Sequence, residues 1–253
     1  MKRYEKISAI RQDLVSNRPS IGSWIQIPHS SIAEILGDAG YDWVAIDLEH
    51  GSISLDQIPD LCRALELGGT LPLARVASSS TKDCKRVLDA GVGGIIVPSV
   101  HEAGVLERLR DACRWPPAGL RGVGFSRANL FGKNFQEYAT ESQAPLLVAQ
   151  IESSQAVDNL ESIATVDGLD AVFVGPYDLS ASMGLAGQFD NPSFINAIDR
   201  VLEVCRELGM PAGVHVIEPN MTELRERIDA GYQFIAYSID SVMLQISSEK
   251  PNF

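Results

Sequence analysis

Cysteine is scarce: Cys62, Cys84, Cys113 and Cys205 are scattered through 253 residues, and no two form a CxxC pair. The chain therefore offers neither a zinc knuckle nor a dithiol redox motif, and reduced, partly buried thiols are the reading that the spacing supports. Positive charge is also short, with 21 basic against 33 acidic residues and a net charge of −12. Such a surface repels phosphate backbones, and no basic run or aromatic–basic stripe is present, so nucleic acid is not an expected partner. No apolar run reaches the roughly 18 residues of a membrane span, so a membrane is not expected either. The opening "MKRYEKISAIRQDLVSNRP" scatters its charges and has no apolar signal core. It reads as an amphipathic helix over about residues 3–16 of a cytoplasmic protein.

What is present is ordinary in bulk, 45% hydrophobic and 21% charged, as in a soluble globular protein. The order is more informative. Helical segments ending in Gly are followed by short apolar runs in "ILGDAGYDWVAID", "ALELGGTLPLARV", "VLDAGVGGIIVPS", "ELGMPAGVHV" and "RIDAGYQFIAYSID". Glycine after the last turn supplies a left-handed cap. The runs are continuous rather than alternating, as strands covered on both faces should be. They mark strands at 21–27, 43–48, 71–76, 94–98, 146–151, 170–174, 212–216 and 233–238, with 115–143 as a long loop. Eight strands alternating with helices predict a single-domain (β/α)8 TIM barrel over 1–253. An open doubly wound sheet would want a Gly-rich turn after the first strand, and "IQIPHSSIAE" is not one.

Barrel chemistry sits at the C-terminal ends of the strands. Reading the polar residues there gives Asp47, Glu49 and His50 after strand two, Arg75 after strand three, and Gln150 and Glu152 after strand five. Strand six delivers Asp178 past a Gly-Pro turn, and strand seven carries His215. Gln150 and Glu152 are two apart, so they share a face. Each has a plainer reading: Asp178 or Glu152 as a helix N-cap, Arg75 as a carboxylate's neutralising partner, and His29 and His101 as helix openers. Crowded on neighbouring strand ends, two acids with no Cys or His beside them suit a hard divalent cation such as Mg²⁺ or Mn²⁺. None of the lysines (Lys2, Lys6, Lys82, Lys85, Lys133, Lys250) ends a predicted strand. Schiff-base chemistry thus lacks its nucleophile, and an enolate made here would lean on a metal and Arg75.

The stretches "YDWVAIDLEHG", "ARV", "LDAGVGGIIVPSV", "PPAGLRGVGFSRA", "VAQIES" and "DAVFVGPYDLSASMG" resemble the HpcH/HpaI family of metal-dependent pyruvate aldolases, in order and spacing, from about residue 20 to 240. The resemblance implies a class II aldolase that reversibly cleaves a 4-hydroxy-2-oxo acid, of the 2-keto-3-deoxy type, into pyruvate and an aldehyde. It implies that Glu152 and Asp178 bind a divalent metal (Mg²⁺ or Mn²⁺, with Co²⁺ a further option). Gln150, with Gly175, Pro176, Tyr177 and Asp178, would hold the pyruvate part, and Arg75 would steady the enolate oxygen. His50 would be the acid–base residue, assisted across a subunit contact by Asp89, with Asp47 and Glu49 standing behind. A homo-oligomer is implied, a hexamer built as a trimer of dimers, with the last helix exchanged between subunits. Tyr177 stands where relatives carry a small residue, and Val76 where they often carry Pro; a bulky 177 reshapes the aldehyde pocket. Competing readings are a CoA-ester lyase, for which this acidic chain shows no basic group to hold CoA phosphates, a 2-oxo acid decarboxylase using the same enolate site, and a non-enzymatic binding barrel.

Overall fold

The computed structural model describes residues 2–250. Its eight parallel strands are β1 (Ser20–Ile25), β2 (Trp43–Asp47), β3 (Leu71–Arg75), β4 (Gly94–Val97), β5 (Leu146–Ile151), β6 (Ala171–Val174), β7 (Ala212–Val216) and β8 (Phe234–Ile239). They pair in chain order and close, β8 onto β1. The (β/α)8 expectation holds. Strands β2 to β6 are buried at every residue, because helices cover the outer face while side chains fill the interior. That double burial is why the runs lack polar alternation.

Inside the barrel, Trp24, Trp43, Leu73, Ile96, Val148, Phe173 and Phe234 belong to one apolar cluster. Trp43 and Phe234 stack with ring centroids 4.2 Å apart. The N-terminal helix Arg3–Val15 adds Ile7, Ile10 and Leu14 to this cluster, so it caps the end of the barrel where the strands begin. The opposite end carries the strand C-termini. Between barrel and helices lies a second layer, with Ile46, Ile95, Leu147, Val172 and Val214 pointing outward onto the helices. The repeated "DAGY" makes the same turn twice: Ala39 and Ala230 cap their helices, and Gly40 (φ 89°) and Gly231 (φ 102°) take the positive φ that returns the chain to β2 and β8.

The 115–143 segment is not all loop, and here the expectation is corrected. Arg127–Gly132 forms a 3₁₀ turn and Phe135–Glu141 an α-helix. Trp115, Ala128 and Tyr138 bury together as a satellite core. Arg121, fully buried, donates to the Cys113 carbonyl at 2.8 Å and to the Tyr138 hydroxyl at 2.5 Å, lying over both aromatic rings. A buried cation with these partners holds the segment in place of a long apolar pattern. The four cysteines are buried and free. Among the described residues no helix is long and apolar enough to cross a membrane.

Candidate active site

The β2–β3 register sets Asp47 directly opposite Arg75. Arg75 Nε and Nη2 donate to the two Asp47 oxygens at 2.9 and 2.6 Å, a planar fork on a carboxylate. Arg75 Nη1 also meets Glu49 at 3.2 Å, and the guanidinium lies over the Trp24 ring at 5.3 Å. Asp47 additionally accepts Gln26 Nε2 at 2.9 Å and the backbone N–H of Glu49 and His50 at 3.1 and 3.2 Å. Burial pushes the Asp47 carboxyl up, but the Arg75 bonds and charge, with Gln26 and the His50 N–H, outweigh it and hold it below its ordinary value. At Glu49 burial prevails over Arg75, and the carboxyl is raised.

Across the mouth, β5 ends with the pair that shares a face. Gln150 Nε2 donates to Glu152 Oε2 at 2.5 Å, while Gln150 Oε1 is buried without a partner. Glu152 Oε1 accepts the Ser99 N–H at 2.5 Å and its hydroxyl at 3.2 Å. Ser99 makes this contact from a left-handed backbone conformation, φ 55°, which a non-glycine residue holds only where its surroundings demand it. Burial raises the Glu152 carboxyl; Ser99 opposes this, and the nearby Asp178 charge adds to it. Gly175 permits the approach of β6, because a Cβ there would stand 2.9 Å from Gln150 Nε2 and 3.1 Å from Glu152 Oε2.

Neither acid is spent on capping. Ser153 caps the helix after β5 by accepting the Ala156 N–H at 3.1 Å. Asp178 sits in the first turn of the helix Pro176–Ser182, which begins at Gly175 without a side-chain cap. Among the described residues there is no group of three or more His, Cys, Asp and Glu that could hold a metal. A site here would have two carboxylates as its protein ligands. Two mutually repelling acids, an orphaned amide oxygen and no thiol or imidazole between them fit an oxygen-loving dication that keeps positions open for water and substrate.

Residues 20–246 match the family model of HpcH/HpaI aldolase/citrate lyase. The chain belongs to that family. A hydroxypyruvate/pyruvate aldolase of Roseobacter denitrificans is 36% identical over 240 residues, 94% of this chain and 93% of the relative. A 4-hydroxy-2-oxovalerate aldolase of Novosphingobium aromaticivorans is 37% identical over 93% of this chain and 89% of its own. The crystal structure of an HpcH/HpaI aldolase/citrate lyase family protein from Burkholderia cenocepacia J2315 superposes with a TM-score of 0.88 at 32% identity, covering 95% of this chain and 96% of the other.

In this HpcH/HpaI barrel, His50, Arg75, Gln150, Gly175, Pro176, Tyr177 and Asp178 line one cavity of about 260 Å³. Asp47 and Glu49 stand against Arg75, and Glu152 against Gln150. Asp89 is elsewhere: it closes the helix Thr81–Ala90 at the end where strands begin, 3.9 Å from Arg121. Its carboxyl is raised by burial against the pull of Arg121 and Lys85. Within one chain it does not join His50. His29 caps the helix Ser30–Asp38 through its ring nitrogen, and His101 bonds the Ser153 hydroxyl at 2.9 Å. His215 faces the cavity, 5.1 Å from the Trp24 ring centroid, with Nε2 3.0 Å from the Ser238 carbonyl; burial pushes it down to about 4.

Sequence reasoning missed Gln26, Ser99 and Asp240. Asp240 accepts the N–H groups of Gln26 and Ile27, both at 2.9 Å, and Ser241 Oγ donates to Gln26 Oε1 at 3.1 Å. Each follows or closes a strand, in "WIQIP", "IIVPS" and "YSID". The strand-end rule, applied to β1, β4 and β8 as it was to the others, finds them.

Proposed function

We propose that this chain is a metal-dependent class II aldolase that cleaves a 4-hydroxy-2-oxo acid into pyruvate and an aldehyde, and runs the reverse condensation. The observation that carries it is the convergence of Asp178, Arg75 and Gln150 on one cavity, with Glu152 bonded to Gln150 beside it and no lysine among the lining residues. Family membership makes the chain a carbon–carbon lyase of the aldolase kind. Glu152 and Asp178 hold Mg²⁺ or Mn²⁺, which when bound polarises the 2-oxo group as a Lewis acid. Gln150 and the Gly175–Pro176–Tyr177 turn, with Asp178, orient the pyruvate portion. His50 takes the proton from the C4 hydroxyl as general base. The C4–O electrons close to the aldehyde carbonyl, the C3–C4 bond breaks, and its pair moves into the C2–C3 bond as the C2 oxygen becomes an enolate. Arg75, already locked by Asp47 and Glu49, presents its two remaining N–H bonds to that developing charge without reorganising, which is the source of its leverage. Protonation at C3 then gives pyruvate.

The same proposal makes the protein a homo-oligomer, a hexamer as a trimer of dimers with its last helix exchanged, acting in the cytoplasm. Its support is the separation of Asp89 from His50 in one chain and the exposure of Leu244 and Ile246 on the helix Asp240–Ser247. Free buried thiols agree with a reducing compartment. A carboxylate brought to His50 by a neighbour favours the imidazolium and so strengthens the base. Mixing Asp89→Asn with His50→Ala chains should restore part of the activity that each lacks, and verified mixed oligomers with no rescue argue against a shared site. The decisive assay is pyruvate with a panel of aldehydes, with and without chelator and borohydride. Metal-restored, borohydride-insensitive condensation is expected; full activity in excess EDTA, or a borohydride-trapped pyruvate adduct, overturns the reading.

A further inference from the structure

Arg75 presents an ordered fork only if the carboxylate that holds it is itself ordered. A carboxyl group turns readily about its Cβ–Cγ bond, so both oxygens of Asp47 have to be fixed if the guanidinium is to stay coplanar with them. The first oxygen is fixed by the turn that follows β2. Besides Arg75 Nε, Asp47 Oδ1 accepts the N–H groups of Glu49 and His50 at 3.1 and 3.2 Å. The second oxygen has no backbone partner. Besides Arg75 Nη2 at 2.6 Å, Asp47 Oδ2 has one donor among the described residues, Gln26 Nε2 at 2.9 Å. Asp47 is fully buried, which leaves solvent no access to replace that donor.

Gln26 is fixed in turn, from the far end of the chain. It lies just past β1, where its N–H and that of Ile27 donate to Oδ1 and Oδ2 of Asp240, each at 2.9 Å. The next residue, Ser241, donates its hydroxyl to Gln26 Oε1 at 3.1 Å. The direction of these bonds is determined. An ionised carboxylate only accepts, so the amide turns its nitrogen to Asp47 and its oxygen to Ser241, which then has to donate. The last helix, Asp240–Ser247, thus begins with one residue that holds the Gln26 backbone and one that holds its side chain. Gln26, His50 and Arg75 line the same cavity.

We infer that Gln26 is a positioning residue for Arg75, acting through Asp47, and that Ser241 sets the amide that does so. The inference rests on the aldolase reading above, in which Arg75 meets the enolate oxygen. Ser241, Gln26, Asp47 and Arg75 form one chain of hydrogen bonds from the start of the last helix to the cavity. Loosening a link lets the guanidinium turn away from the developing charge. The loss falls on the transition state, and so on kcat, rather than on binding of the 2-oxo acid.

The test follows pyruvate α-proton exchange in D₂O and aldol cleavage, with metal content measured on the same samples. Gln26→Leu should lower kcat of both reactions by about 10-fold, with KM within about twofold and metal content unchanged. Ser241→Ala should lower them by about 3-fold. Added to Gln26→Leu it should cost nothing more, because the chain is already cut; independent contributions would multiply to about 30-fold. Gln26→Glu supplies a signature that a purely structural role lacks. Its carboxyl keeps the length of the amide and faces Asp47, Glu49 and Asp240 against Arg75 and His50. Protonated, it donates to Asp47 as the amide does; ionised, it can only accept. The ratio of its kcat to that of the wild type should therefore rise by about 5-fold as pH falls from about 8 to about 5. This variant preserves side-chain size, so it stands as the test if Gln26→Leu fails to fold. Multiplicative losses in the double variant, or a ratio flat with pH, overturn the relay and leave the aldolase reading intact. A loss confined to one cleavage substrate, with proton exchange unchanged, makes Gln26 a substrate contact and likewise overturns it. Neither exchange nor cleavage in the wild type overturns both readings.

Discussion

Where the strands begin, Arg11 grips both oxygens of Asp170 at 2.6 and 3.0 Å, and Asp170 also accepts the Leu147 N–H at 2.9 Å. Asp42, at the same end, accepts the hydroxyl of Ser20 and the N–H of Ile21. Where the strands finish, Glu152 and Asp178 repel each other, Gln150 Oε1 bonds nothing, and Ser99 is held at φ 55° to reach Glu152. One end pairs its charges; the other leaves charge and hydrogen-bonding capacity open. Incomplete satisfaction is tolerated where a bound group completes it, which separates a catalytic mouth from a structural base in a barrel of this kind. Arg75 is the exception that supports the distinction, since its pairing with Asp47 and Glu49 orients it without enclosing it.

The comparison breaks most visibly at Glu152. On the proposed function, Glu152→Ala should lose bound metal and aldol cleavage together, with turnover down by about 10³-fold or more, because one of the two proposed ligands would go and the Lewis acid with it. Metal content by elemental analysis alongside cleavage rate checks this; retained metal with retained turnover removes Glu152 from the site. Arg75→Lys comes next, at about 10²-fold, since a point charge cannot hold Asp47 with a planar fork and also face an enolate oxygen. Pyruvate α-proton exchange in D₂O should fall alongside, and exchange at the wild-type rate would contradict that role. At the paired end the expectation inverts. Asp170→Ala should cost about 2 kcal/mol of stability by stranding Arg11 and the Leu147 N–H, yet leave kcat/KM within about twofold. A large activity loss without destabilisation would erase the contrast between the two ends.

The subtlest effect at working pH is a pH dependence at His215, whose ordinary value of 6.5 falls to about 4 through burial. Between those values the unfolded chain takes up a proton that the folded chain refuses, so unfolding is favoured as pH drops. The stabilising contribution is therefore complete above about 6.5 and lost progressively toward about 4. Across the whole window the difference amounts to roughly 3 kcal/mol. Melting curves of wild type and His215→Gln across that window should converge at the acid end if the ring is responsible, and parallel curves would exclude it.

Much of this was legible in the chain. Apolar runs between Gly-ended helices mark all eight strands within about two residues of where they lie, because burial on both faces is a local and continuous signal. The candidate site was legible to the extent that strand ends expose their last polar residue, which finds His50, Arg75, Gln150, Glu152 and Asp178. The insertion was the weakest reading: its order comes from Arg121 lodged between Trp115 and Tyr138, a contact with no periodicity to betray it.

By itself, then, the sequence determined the barrel, the strand ends where the candidate site gathers and the oxygen-rich character of its side chains, since each follows from residue type and spacing along the chain. Only the tertiary structure decided which partner each group has. Arg75 could have neutralised any of several acids, and the β2–β3 register assigns it to Asp47. Glu152 and Asp178 could have been caps, and the structure instead starts their helices at Ser153 and Gly175. Gln26 reaches Asp47 across the β1–β2 pair, and closure of β8 onto β1 brings Asp240 to its backbone N–H. Hydrogen bonds between residues distant in sequence depend on register and closure, and neither is written in any single window of residues.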